Sequence, residues 1–86
     1  MLYFIVKNGN PRHVWNWRHR LIAFDMDADY SSRGWFSRSR GAAARRYQAL
    51  VYAYPSSRFD VLTVAQYQKL WDDQREGVEV TLPKET

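Results

Sequence analysis

No cysteine occurs among the 86 residues. A disulfide scaffold, a thiolate zinc site and a cysteine nucleophile are therefore excluded, and a cytoplasmic life is expected. Long apolar runs are missing too. The longest, Leu2–Val6 and Leu21–Phe24, fall far short of the roughly 20 residues that a membrane-spanning helix needs. Met1-Leu2-Tyr3 already reads as strand, so no signal peptide is evident. His13 and His19 are the two histidines, and neither stands at the spacing of a catalytic triad or a zinc motif. The expectation is a protein with no cofactor, no metal and no membrane partner.

What the chain does have is arginine and aromatic side chains. It carries 16% aromatic residues and is 45% hydrophobic, enough for a core filled largely by bulky rings and too much for global disorder. Its length suits a single domain over 1–86. Between Arg12 and Arg46 eight arginines interleave with Trp15, Trp17, Tyr30, Trp35 and Phe36. Residues 1–46 set nine cations against three aspartates, net +6, while residues 47–86 set four cations against six acids, net −2. Such a one-ended field favours an anionic partner, and Arg is the type suited to bidentate contact with phosphate or carboxylate.

The pattern predicts an α+β domain in the order ββ(β)αβαβ, a mostly antiparallel sheet packed by two helices. Leu2–Val6 is apolar on both alternating faces and reads as a central strand. Asn8-Gly9 signals a hairpin, with the return through His13–Trp17 and a third strand or bend at Arg20–Phe24. Residues 25–41 form a long polar loop, functional or mobile by its length, with Trp35-Phe36 as its apolar anchor. Ser39 caps a first helix over Gly41–Tyr54 that Pro55 stops. Ala43, Tyr47, Leu50, Val51 and Tyr54 make its inner stripe, and Arg45, Gln48 and Tyr52 its outer face. Phe59–Thr63 is a strand, and Thr63-Val64-Ala65-Gln66 a capping box. The second helix buries Val64, Tyr67, Leu70 and Trp71, with Gly77 as its left-handed C-cap. Val78–Leu82 alternates as a strand that could close a parallel βαβ unit, and 83–86 is a tail.

Two catalytic or metal readings are set aside. Leu21–Asp27 resembles the first motif of haloacid-dehalogenase-type phosphatases, with Asp25 as nucleophile and Asp27 as acid/base. That family usually continues with Gly and Thr, where this chain has Ala28 and Asp29. The rest of the chain cannot supply the doubly wound domain, the lysine and the magnesium acids that carboxylate chemistry requires. Asp25, Asp27 and Asp29 also begin like a calcium loop, but Tyr30 and Phe36 stand where Gly and Glu are needed. These acids more simply pair with nearby arginines.

The recognition residues are then Arg18, Arg20, Arg33, Trp35, Arg38, Arg40, Arg45, Arg46 and Tyr52. Arg38, Arg40, Arg45 and Arg46 crowd the start of the first helix, where cations oppose the macrodipole and an anion docked at the exposed N–H groups would relieve the conflict. Trp15 and Trp17 are core if their strand face is covered and a stacking platform or interface anchor if it is open.

In layout, most of the chain resembles small phage- or prophage-encoded accessory proteins: an immediate strand at Leu2–Val6, a turn at Asn8-Gly9 and one Ala-rich helix over Gly41–Tyr54. Such proteins, anti-CRISPR and other host-takeover inhibitors among them, generally work by occupying a surface on a host machine. The resemblance implies a non-enzymatic inhibitor or modulator, in the cytoplasm of a bacterial host, whose partner is a host protein or nucleoprotein complex. Direct DNA or RNA binding through the arginines is the competing expectation, and a homodimer through exposed aromatics is a third.

Overall fold

The computed structural model describes residues 1–24, 28–75 and 77–85. The order is β1 (Tyr3–Lys7), β2 (Asn10–Asn16), β3 (Leu21–Phe24), α1 (Arg40–Ala53), β4 (Phe59–Thr63) and α2 (Val64–Gln74). The strands form one antiparallel sheet, β3-β2-β1-β4, so the domain is α+β. No helix of the described residues is long and apolar enough to cross a membrane.

β1 is central, as its two apolar faces predict. Phe4 and Val6 point into one core with Val14, Tyr30, Tyr67 and Trp71. Ile5 points into another with Trp15, Leu50 and Phe59. α2 covers the first face and α1 the second. The hairpin turn at Asn8-Gly9 has positive φ at both residues (56° and 66°), the geometry for which Asn-Gly is favoured. It is clamped from two sides. Asn8 exchanges hydrogen bonds with the Arg58 backbone, and Gln74 Nε2 donates to the Gly9 carbonyl at 2.9 Å.

Both predicted helix caps form. Ser39 Oγ accepts from Ala42 N at 3.1 Å. Thr63 Oγ1 accepts from Gln66 N while Gln66 Oε1 accepts from Thr63 N. Val64 and Leu70 are half-buried and Tyr67 and Trp71 fully so, matching the expected inner face of α2.

Five expectations are corrected. Val78–Leu82 is not a strand of the sheet; it touches it with no ladder and makes one parallel bridge, Thr81 to Asp29. Its alternation survives, because Val78, Val80 and Leu82 pack on the α2-side core. α2 starts directly from β4 at Thr63 and lies over β2, β4 and β1, and among the described residues no strand follows it to complete a parallel crossover. Gly77 does adopt φ +77°, but α2 ends earlier, capped by an extended Arg75.

The polar loop is anchored more widely than by Trp35-Phe36, because Ala28 and Tyr30 are buried too. On α1, Val51 and Tyr54 are 39% and 57% exposed: the helix rests on β4 and β1, a contact narrower than the stripe.

Tyr67 joins the layers. Its ring stacks on Phe4 at 4.2 Å, and its hydroxyl donates to the Pro11 carbonyl at 2.6 Å. A register shift in the β1–β2 ladder accommodates Pro11, which has no N–H for a regular ladder. Burial, and secondarily Tyr30, pushes the Tyr67 phenol well above its ordinary value of 10.0. The folded-state value is raised, so its stability contribution is complete below pH 10 and falls as pH rises further. Tyr67→Phe is expected to cost roughly 1–3 kcal/mol at neutral pH, from the buried carbonyl left unpaired, and to flatten the alkaline fall. Denaturant unfolding at pH 7 and above pH 10 measures both.

Candidate arginine-aromatic interface

Buried Asn16 organises the turn after β2. Its Oδ1 accepts from the N–H groups of Arg18 and His19, both at 3.0 Å, and its carbonyl accepts from Arg20 N at 2.7 Å. This side-chain mimic of a turn fixes the backbone from which Arg18, His19 and Arg20 reach solvent. The segment after residue 28 is then fastened beside it. Trp17 N donates to the Gly34 carbonyl, and Tyr3 and Ser37 exchange two hydrogen bonds of 2.9 Å. Inside, Tyr30 packs edge-on against Trp35 (4.9 Å) and Tyr67 (5.6 Å). The outward side chains of this segment are thus carried by a pinned backbone.

The result is a groove. Trp17, Arg18, Arg33, Gly34 and Phe36 line a cleft of about 520 Å³. A second cleft of about 670 Å³ shares Trp17, Arg33, Gly34 and Phe36 with it and extends the walls to Arg38. The Arg38 guanidinium lies 5.5 Å from the Phe36 ring centroid, a cation–π contact that holds it over the aromatic wall. Three arginines and two aromatic residues therefore line these adjoining clefts beside the end of β2 and the start of β1.

The other predicted residues go elsewhere. Arg20 and Arg46 line a separate cleft with Lys7 and Trp15. Arg46 is half-buried, its guanidinium 4.9 Å from the Trp15 centroid. Arg40 borders a third cleft with Tyr3 and Tyr47. Arg45 turns back beside Gly41, and the first turn of α1 contains no acid. Tyr52 is 91% exposed on the outer face of α1, and Trp35 is half-buried on the core. Trp15 and Trp17 both pack in the α1-side core, Trp15 almost fully buried and Trp17 half-buried; Trp17 keeps an edge in the groove. Asn16 and Lys7 were not singled out from the sequence, and Phe36 was read as an apolar anchor rather than as a recognition residue. Of the first two, only Asn16 left a readable signal, an Asx residue opening a turn.

The electrostatics favour an anionic partner. Arg18, Arg20, Arg33, Arg38, Arg40 and Arg45 are exposed. Among the described residues the ion pairs are Arg58–Asp60 and Arg75–Asp72, both at 3.2 Å, and neither involves those six. Asp25 and Asp27, on which the phosphatase, calcium-loop and arginine-pairing readings turn, lie outside the described residues. Asp29 accepts from the Ser31 hydroxyl and N–H, which together hold its carboxyl below the usual range. Of the histidines, His13 packs against Phe24 (5.3 Å) and His19 is exposed.

Comparisons with protein-family models, with curated proteins and with solved structures returned no match. The functional reading therefore rests on the chain itself.

Gly34 is the hinge of the groove's geometry. Its φ is +110°, and a Cβ there would lie 3.2 Å from both Arg18 Cβ and Asn16 Oδ1. Neither neighbour is a flexible side-chain end, and Asn16 Oδ1 is already committed to two hydrogen bonds. Gly34→Ala should destabilise the protein by about 1–3 kcal/mol and speed hydrogen exchange at the Trp17 amide. Thermal unfolding and amide exchange by NMR measure the two effects.

Proposed function

We propose that this protein is a non-catalytic binding module that docks its Arg18–Arg33–Arg38 groove on an acidic surface of a host protein or nucleoprotein machine and thereby inhibits or modulates it. The observation that carries this reading is that three exposed arginines, without ion-pair partners among the described residues, line two adjoining clefts together with Trp17 and Phe36, Arg38 lying over the Phe36 ring. Arginine and tryptophan dominate interface hot spots because each combines a large apolar area with directed polar contact. Like charges held together on a pinned backbone repel one another, and an acidic partner relieves that repulsion. The layout resemblance to phage accessory proteins supports the same reading and a bacterial cytoplasmic setting.

Direct nucleic-acid binding is the second reading. It is favoured by one feature of the groove, guanidiniums beside aromatic edges, which also suits phosphates and unstacked bases. Salt separates the two. Phosphate neutralisation releases counterions, so affinity for DNA or RNA drops steeply with ionic strength.

The docking reading predicts one stable protein co-purifying with the tagged chain from a bacterial host lysate. Its affinity should fall about tenfold or more in the Arg33→Ala/Arg38→Ala double variant, with unfolding unchanged. Fluorescence polarisation with single- and double-stranded probes should meanwhile show no tight binding at near-physiological salt. Tight probe binding with a steep salt slope, and no enriched protein, would replace docking by nucleic-acid recognition.

A further inference from the structure

α1 covers only part of its sheet face. It rests on β4 and β1, leaving the neighbouring β2–β3 half beside it as a cleft of about 590 Å³. The floor is apolar: Trp15, Leu50 and Phe59 are at most 5% exposed, and Ile22 from β3 joins them. Lys7, Arg20 and Arg46 stand on its walls, and among the described residues no acidic side chain lines it. This cleft is distinct from the Arg18–Arg33–Arg38 groove, whose lining residues it does not share.

Arg20 is the second, independent observation. Its φ is +54°, in the left-handed region that Gly and Asn adopt most readily and other residues only at a cost. It closes the four-residue turn between Asn16 and Leu21, where glycine would relieve the strain. A cationic side chain is held at this strained position, at the mouth of an uncovered apolar cleft.

We infer that the cleft receives a linear acidic segment of a partner protein, with a bulky apolar anchor seated against Leu21 and Tyr54, the exposed apolar side chains of its lining, and flanking carboxylates on Lys7, Arg20 and Arg46. Charge complementarity selects the acidic character, and the aliphatic and aromatic lining selects the anchor. Backbone chemistry selects a peptide. β3 is an edge strand with unpaired N–H and C=O groups on its outer side, and the last turn of α1 ends with no basic side chain over its carbonyls. A peptide brings both donors and acceptors to such a border, whereas a phosphate brings acceptors alone. Base stacking is disfavoured because Arg46 already occupies a face of Trp15. A second copy of the chain would bring the same cations against one another across a two-fold interface.

Selection of a random dodecapeptide library on the intact protein tests the inference, followed by anisotropy titration of the recovered peptides. The expected peptides carry carboxylates around an aromatic or branched aliphatic residue and shift the Trp15 indole resonance. Their affinity falls about tenfold in Arg20→Gly and in Arg46→Gln, as removal of a charge-assisted contact requires. Arg33→Ala/Arg38→Ala binds them like the parent, so failure of the docking groove and failure of this cleft are told apart. Arg20→Gly removes the backbone strain and should unfold at no lower denaturant concentration than the parent, which separates lost binding from lost fold. The inference is overturned by recovery of no peptides, by peptides without acidic enrichment, or by affinity unchanged in Arg20→Gly. Displacement by a lower concentration of oligothymidine would assign the cleft to nucleic acid instead. A concentration-dependent mass abolished by Leu21→Glu would assign it to self-association.

Discussion

Burial of β1 on both faces is the constraint on which the rest of the molecule depends. A strand alternates its side chains, so Phe4 and Val6 leave one face while Ile5 leaves the other. Each face then needs its own cover, and among the described residues two helices provide it. The α2 side is closed by an aromatic cluster, with Tyr67 stacked on Phe4 and Tyr30 and Trp71 around it. Tyr67 also ties that helix to β2 through the Pro11 carbonyl. On the α1 side the cover is thinner, because that helix buries only the smaller Ala43 and Leu50 where α2 buries Tyr67 and Trp71.

That asymmetry gives the molecule its surfaces. The well-covered side draws in Ala28, Tyr30, Val78, Val80 and Leu82 from irregular segments, and in doing so pins the backbone that displays Arg33 and Arg38. The thinly covered side leaves an apolar floor beside α1, with Arg46 laid across Trp15. Charge follows a similar division. The described acids that form ion pairs do so with Arg58 and Arg75 of their own half of the chain, so they do not screen the exposed arginines between Arg18 and Arg45. Among the described residues these exposed arginines thus keep no ion pair, and they are spread over several clefts rather than gathered in one patch.

Much of the local structure was legible before the fold. The Asn8-Gly9 turn, the Ser39 cap and the Thr63–Gln66 capping box each depend on contacts within three or four residues, and each forms. The central position of β1 was legible because two apolar faces require two covers. The recognition residues were legible in kind but not in grouping. Arg45 and Arg46 are neighbours in sequence, yet one stands exposed beside Gly41 and the other lies on Trp15, a difference fixed by how the helix rotates against the sheet.

The sequence by itself determined an arginine-rich, cysteine-free α+β domain, its hairpin, its helix starts and its one-ended charge, since these follow from composition and short-range hydrogen bonding. Only the tertiary structure decided that Val78–Leu82 packs on the core instead of extending the sheet, that Tyr30 is buried, and that the arginines are dispersed over several clefts. Those outcomes depend on where α1 and α2 settle across β1. No short-range pattern encodes that, because the competing arrangements satisfy the same local hydrogen bonds and differ only in which distant apolar surfaces meet.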